Sequence, residues 1–190
     1  MENRKRPPQD YYEIFGIETR LDLDASDLQQ RYYRLSRELH PDRFSRASLA
    51  EREYSLEATA ILNDAYRTLR EPIARAEYVL KKNGFDIGEQ RTKDVPPELL
   101  EEVFGMNMAL EELRTGDITA RPQLEESHRK FLRMLDEIDG QVQRAFAAHD
   151  AAPNPESANA VLAQIRGLLN RRRYVRNLVS QAEAELSAFA

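Results

Sequence analysis

Three consecutive residues, His40, Pro41 and Asp42, place an imidazole, a rigid backbone link and a carboxylate side by side. The proline fixes its own φ, so a turn that contains it loses little conformational freedom when a partner binds. The Asp42 carboxylate can accept two parallel hydrogen bonds from an arginine of another protein, and His40 can orient the turn or donate a hydrogen bond. These three residues, the HPD turn, therefore predict a protein-binding site, although they could instead do no more than end a helix.

The helix that leads to the HPD turn is predicted to be amphipathic. Its inner face repeats with helical spacing at Leu28, Tyr32, Leu35 and Leu39. Its outer face carries Tyr33, Arg34 and Arg37, which could steer an acidic partner toward the turn or form only a solvated surface. Because the residue before a proline is pushed out of the α region, we expect the helix to end near Leu39 and His40 to be extended.

A second helix is expected to follow the HPD turn. Ser48 and Glu51 have capping-box spacing at its start, and its apolar series is Ala58, Leu62, Ala65 and Leu69. Ser26 and Gln29 have the same spacing at the start of the preceding helix, where Asp24 is the alternative N-cap. The two helices should pack as an antiparallel hairpin with a short polar loop, and the HPD turn, at its tip.

The C-terminal half is predicted to form a separate three-helix bundle over residues 97–190, after a polar linker at 84–96. Its helices are expected over 97–114, over 121–149, and from Asn154 as N-cap to the C-terminus. The apolar series of the last helix is predicted as Ala158, Val161, Ile165, Leu168, Val175, Val179, Ala182 and Leu186. The fold class is therefore all-α.

The composition disfavours several classes of function. The chain has 190 residues, no cysteine and three widely spaced histidines, which excludes disulfides and cysteine-ligated metal centres. It has no phosphate-binding glycine loop, nucleophile elbow or HExxH motif, so we expect no enzyme activity, metal or cofactor. No apolar run approaches the roughly 20 residues of a membrane span, and a net charge of −5 is unfavourable for general nucleic-acid binding. We expect a cytoplasmic protein with protein partners.

Residues 10–83 resemble a J domain, and residues 1–9 are expected to be a flexible tail. The resemblance rests on "YYRLSRELHPD", which ends in the HPD turn, and on "LNDAYRTLREP" in the following helix. Beyond this segment, "KNGFDI", "PPELLEEVFGMNMALEEL" and the long C-terminal helical hairpin are similar to the HscB-type J-domain co-chaperones of iron–sulfur cluster assembly. General J proteins usually continue with Gly/Phe-rich and cysteine-rich segments, and this chain has neither.

The resemblance implies two protein-binding surfaces and no active site. The HPD turn, with Tyr33, Arg34 and Arg37, would engage an ATPase chaperone of the DnaK/HscA type and accelerate its ATP hydrolysis. The C-terminal bundle would hold an iron–sulfur scaffold protein of the IscU type and deliver it to that chaperone. Two alternatives stay open: a J protein that selects a different client, and a helical scaffolding protein with an inactive J domain.

The helix over 97–114 holds more apolar residues than one face can bury, which indicates an exposed apolar patch. Carried over from the family pattern, the scaffold contacts fall on Leu100, Phe104, Glu112 and Tyr174, and the apolar surplus adds Met108 to them. The sequence departs from that pattern at Glu101, Gly105 and Met108, where the family tends to have Met, Glu and Glu.

Overall fold

The computed structural model describes residues 6–86 and 99–188 and is all-α over those ranges, as predicted. Its helices are α1 (Tyr11–Phe15), α2 (Ala25–Leu39), α3 (Leu49–Arg70), α4 (Pro72–Lys82), α5 (Leu100–Arg114), α6 (Arg121–Asp150) and α7 (Pro155–Ala188). Most of the predicted linker at 84–96, and the first part of the predicted tail at 1–9, lie outside the described residues.

The chain divides into two compact units. The N-terminal unit is built from α1 to α4 together with residues 149–151, and the C-terminal unit from α5, α7 and the rest of α6. Each unit buries its own set of apolar side chains. The chain therefore forms two small hydrophobic cores rather than one large core.

In the N-terminal unit, α2 and α3 form the predicted antiparallel hairpin. The Tyr32 ring on α2 stacks on Tyr66 of α3 at 4.1 Å between ring centroids, and its hydroxyl donates to Asn63 at 3.0 Å. The core between the helices is formed by Tyr12, Phe15, Leu28, Ala58, Leu62, Ala65, Leu69, Val79 and Leu80. The α1 helix packs against both arms of the hairpin, and α4 packs against α3.

Side-chain oxygens cap the N-termini of α1, α2 and α3 in this unit. Ser48 and Glu51 form the predicted capping box at the start of α3. Of the two predicted N-caps of α2, the structure uses Asp24, whose carboxylate accepts from the Ser26 and Asp27 amides, so Ser26 does not cap the helix. A carboxylate is favoured there because it accepts two amides and also complements the positive end of the helix dipole.

A buried arginine, Arg75 on α4, links the elements of the N-terminal unit. Its Nε donates to the Leu21 carbonyl at 2.8 Å and its Nη1 to the Leu69 carbonyl at 2.6 Å. Burial lowers the pKa of the guanidinium, and the nearby Tyr12 acts in the opposite direction. The arginine therefore satisfies two carbonyls that no water can reach, in the loop before α2 and at the end of α3.

Substitution Arg75→Met is expected to destabilise the N-terminal unit by about 3 kcal/mol, because two buried carbonyls lose their donors. Urea unfolding followed by NMR signals of this unit measures the change. The matched control is Arg67→Met on α3, which removes only an exposed ion pair with Asp64 and should change stability by less than about 1 kcal/mol. Equal losses in the two variants would contradict the assignment of Arg75 as a structural link.

The C-terminal unit is a three-helix bundle in which α6 runs opposite to both neighbours. Lys130 of α6 pairs with Glu102 at 2.7 Å, and Gln123 of α6 donates to the Gly105 carbonyl at 3.5 Å, so α5 and α6 are antiparallel. In the ion pairs His128–Glu183 and Arg172–Asp139, the later of the two α6 residues pairs with the earlier of the two α7 residues, so these two helices are also antiparallel. It follows that α5 and α7 run in the same direction.

The buried series of α7 differs from the prediction in its first half. The buried residues there are Leu162, Ile165 and Leu169, whereas the predicted Val161 and Leu168 are only half-buried. Val161 and Leu162 are adjacent apolar residues, as are Leu168 and Leu169. Helical spacing alone does not show which member of each pair is buried. In the second half the predicted Val175, Val179 and Ala182 are buried.

Candidate protein-binding sites

The HPD turn lies at the tip of the α2–α3 hairpin. His40 has a non-helical backbone, with φ −59° and ψ 129°, as the rule for residues before proline predicts. Pro41 then begins a 3₁₀ turn, Pro41–Phe44, in place of the irregular loop that we expected. The turn forms because proline at the first helical position has the required φ and needs no hydrogen-bond acceptor for its nitrogen.

The Asp42 carboxylate points into solvent, with 92% of its side chain exposed. The Nδ1 atom of His40 accepts the Asp42 amide at 3.3 Å and lies 3.6 Å from the Asp42 carboxylate. By accepting the Asp42 amide, the His40 ring helps to orient the turn. The arrangement leaves the carboxylate accessible to a cation of another protein.

Several exposed arginines lie on the two helices and the loop of the hairpin that carries the HPD turn. Arg34 and Arg37 are exposed on α2 beside the exposed Tyr33, and neither forms an ion pair with any described residue. Arg46 in the loop and Arg52 in the first turn of α3 are also exposed, and they form no ion pair with a described residue. Arg46 and Arg52 were not among the predicted site residues, although both lie close to the HPD turn in "HPDRFSRASLAER".

In the C-terminal unit, the surplus apolar residues of α5 form an exposed apolar stripe of Leu100, Phe104 and Met108. Their spacing of four residues keeps them on one side of the helix, opposite the side that buries Met106 and Leu110. Phe104, at the centre of the stripe, is 67% exposed. Side chains of this size are rarely left in water in a row, so the stripe is a candidate protein-binding surface.

Tyr174 lies level with the first half of this stripe. Arg114 of α5 pairs with Glu185 of α7, and the two helices are parallel. Tyr174 and Val103 both lie eleven residues before that pair, so they share one level of the bundle. Tyr174 is half-buried, and this burial raises the pKa of its hydroxyl.

Glu112, the predicted acidic contact, lies one helical turn after Met108 on the same helix and is half-buried. Glu102, near the start of α5, is paired: Lys130 of α6 binds its carboxylate and lowers its pKa. No cation among the described residues pairs with Glu112. Its charge is therefore free to meet a basic group of a partner at the end of the apolar stripe.

The two halves of the chain match known proteins differently. A family model described as the DnaJ domain matches residues 10–78, which include the whole α2–α3 hairpin. Over 174 residues, the chain is 30% identical to the co-chaperone protein HscB homolog of Vibrio campbellii, covering 91% of this chain and 94% of that protein. The chain belongs to the HscB family of J-domain co-chaperones. The HscB homolog of Shewanella loihica is also 30% identical, over 80% of this chain and 87% of its own length.

Solved structures of HscB proteins support the same assignment for the fold. The crystal structure of human co-chaperone protein HscB matches 95% of this chain and 84% of its own, with a TM-score of 0.66 and 26% identity. Chaperone HscB from Vibrio cholerae matches 90% of this chain and 98% of its own, with a TM-score of 0.52 and 26% identity. The HscB co-chaperones extend over both units and not over the J domain alone.

Membership in this family makes the chain a co-chaperone, which regulates another protein and is not itself an enzyme. The J domain implies that its partner is an ATPase chaperone of the Hsp70 type. Over residues 6–86 and 99–188, no helix is long and apolar enough to cross a membrane. The same residues contain no group of three or more His, Cys, Asp or Glu side chains arranged to hold a metal ion.

Proposed function

We propose that this chain acts in iron–sulfur cluster assembly in the cytoplasm, as the co-chaperone that joins a scaffold protein to its ATPase chaperone. Through the HPD turn it stimulates ATP hydrolysis by a DnaK/HscA-type chaperone. Through the C-terminal unit it binds an IscU-type scaffold protein and delivers it to that chaperone. The observation that carries the proposal is that one chain presents an exposed carboxylate in a rigid turn and, in a second unit, an exposed apolar stripe.

The chemistry of the HPD turn fits an arginine of the chaperone. The exposed Asp42 carboxylate can accept a bidentate hydrogen bond, which is the strongest geometry for an arginine–carboxylate pair. Arg34, Arg37 and the neighbouring Tyr33 would lie against an acidic area of the chaperone. The two positive charges would increase the association rate. The hydrolytic groups belong to the chaperone, and the co-chaperone favours the conformation in which they act.

The chemistry of the apolar stripe fits an apolar area on the scaffold protein. Phe104 and Met108 offer large, adaptable surfaces, and Leu100 extends the contact along the helix. The half-buried Tyr174 adds an aromatic side chain at the same level, and Glu112 adds a charge at the end of the stripe. We therefore assign scaffold binding to residues 97–190 and chaperone binding to residues 10–83.

A steady-state ATPase assay tests the proposal. The chain is expected to accelerate hydrolysis by a DnaK/HscA-type chaperone, and a scaffold protein of the IscU type should increase that acceleration further. Binding of the scaffold to the C-terminal unit raises its effective concentration at the chaperone, so roughly tenfold less scaffold should be needed when this chain is present. The assay measures the hydrolysis rate over a matrix of chain and scaffold concentrations.

Each half of the proposal has its own contradicting result. Absence of acceleration by the chain alone would rule out the role of the HPD turn and favour a scaffolding protein with an inactive J domain. Acceleration without any effect of the scaffold would favour a J protein that selects another client. A peptide client unrelated to the scaffold serves as the control, because it should bind the chaperone but gain nothing from the C-terminal unit.

A further inference from the structure

Two hydroxyl groups of α3 donate to the last carbonyl of α2, the one directly before the HPD turn. Ser55 Oγ donates to the Leu39 carbonyl at 2.6 Å and Thr59 Oγ1 donates to the same oxygen at 3.0 Å. Ser55 and Thr59 are one helical turn apart on α3, so both face the same point of α2. Ser55 is completely buried and Thr59 is half-buried. Neither residue stood out in the sequence, because hydroxyls within a helix usually bond to their own backbone.

Among the residues that the structure describes, no backbone amide outside α2 donates to the Leu39 carbonyl. The last carbonyls of a helix need donors from outside the helix. Pro41 has no N–H, the Asp42 amide donates to the His40 ring, and the Arg43 amide donates to the His40 carbonyl. The HPD turn therefore uses its own amides internally, and α3 provides the donors that the end of α2 lacks.

Two donors on one oxygen also determine the orientation of a peptide plane. The Leu39 carbonyl shares its plane with the His40 amide because the peptide bond is planar. The ring of Pro41 fixes the φ torsion of that residue. Between the Leu39–His40 peptide plane and Pro41, only the φ and ψ torsions of His40 are therefore free to vary. The hydroxyl pair thus sets the direction in which the chain leaves α2 and enters the HPD turn.

We propose that Ser55 and Thr59 are positioning residues that hold the HPD turn in the conformation recognised by the ATPase chaperone. This inference rests on the proposed function of the turn. Neither side chain contacts the partner, since Ser55 is buried and both hydroxyls are directed at Leu39. Their effect is preorganisation: a turn that is already in its bound conformation does not have to be ordered when the chaperone binds.

The test is the double variant Ser55→Ala, Thr59→Val, which removes both hydroxyls and keeps helix-compatible side chains. If the binding-competent turn falls to a tenth of the population, the concentration for half-maximal stimulation of the chaperone rises about tenfold, while the maximal rate is retained. Hydrogen exchange of the Asp42 and Arg43 amides should become faster in the same variant. The reference variant Thr59→Ser keeps the hydroxyl and should resemble the unsubstituted protein in both measurements.

A matched structural control separates positioning from loss of stability. Leu62→Val weakens the core on the same helix and leaves both hydroxyls in place, so it should lower stability without changing either measurement at temperatures where the protein is folded. Unchanged half-maximal stimulation in the double variant, or an equal change in Leu62→Val, would overturn the proposal. The single variant Thr59→Val replaces the double variant if the latter does not fold, with the same two readouts.

Failure of this inference differs from failure of the proposed function. If the unsubstituted protein does not accelerate the chaperone, the proposed function is wrong. The exchange rates at Asp42 and Arg43 need no chaperone, so they test the hydroxyl pair independently. Unchanged exchange in the double variant would overturn the positioning role even where stimulation by the unsubstituted protein is normal.

Discussion

Substitution Asp42→Asn is expected to weaken coupling to the ATPase chaperone by about 3 kcal/mol, or roughly a hundredfold in half-maximal concentration. The amide keeps the shape of the side chain but loses its charge, and one of its two polar atoms becomes a donor that an arginine cannot use. Because the Asp42 side chain is 92% exposed, the stability of the fold should not change. Stimulated ATP hydrolysis and urea unfolding measure the two quantities in parallel.

The control for this substitution is Asp64→Asn, which makes the same chemical change at an exposed position on α3. Asp64 lies fifteen residues after Leu49, or about 22 Å along the helix axis from the end near the HPD turn. Stimulation by Asp64→Asn should therefore remain normal. A hundredfold loss in both variants, or in neither, would show that the HPD turn does not make the coupling contact through its carboxylate.

Local rules predicted the elements around the HPD turn well, because the causes lie within a few residues. The end of α2 follows from Pro41, and the start of α3 follows from Ser48 and Glu51. The start of α2 was ambiguous because Asp24 and Ser26 are both good N-caps, two residues apart. N-cap preferences barely distinguish Asp from Ser, so the sequence could not decide between the two residues. In the folded chain, Asp24 is the N-cap.

Contacts between helices could not be predicted from these rules. The donors for the Leu39 carbonyl come from Ser55 and Thr59, which are sixteen and twenty residues away in sequence. Helical periodicity identifies a face, but it gives neither the register of two helices nor the orientation of a hydroxyl. The conformation of the HPD turn therefore depends on a tertiary contact that the tripeptide itself does not reveal.

The apolar stripe was predicted in part for the same reason. The excess of apolar residues on α5 is visible in the sequence, and the family resemblance points to Leu100 and Phe104. Which residues remain exposed depends on the side of α5 that packs in the bundle, and that side buries Met106 and Leu110 instead. The level of Tyr174 along the bundle follows from the pairing of Arg114 with Glu185, which the sequence does not reveal.

The double substitution Leu100→Ala, Phe104→Ala is expected to weaken scaffold binding by about 3 kcal/mol, or roughly a hundredfold in Kd. A phenylalanine at the centre of an interface loses most of its buried area when it is truncated, and the neighbouring leucine cannot replace that area. Both side chains are exposed in the free protein, so the stability of the bundle should stay nearly constant. Calorimetric titration with an IscU-type scaffold protein measures the affinity.

The matched control for the stripe is Ile118→Ala in the turn before α6, because Ile118 is another exposed apolar residue of the same unit. If exposed apolar area alone attracted the scaffold, both variants would bind more weakly, whereas a specific surface on α5 predicts a loss only for Leu100 and Phe104. The basal stimulation of the chaperone should be normal in all of these variants, since the HPD turn is untouched. Loss of basal stimulation together with scaffold affinity would contradict the assignment of the two activities to separate surfaces, and unchanged affinity in the double variant would place the scaffold elsewhere on the bundle.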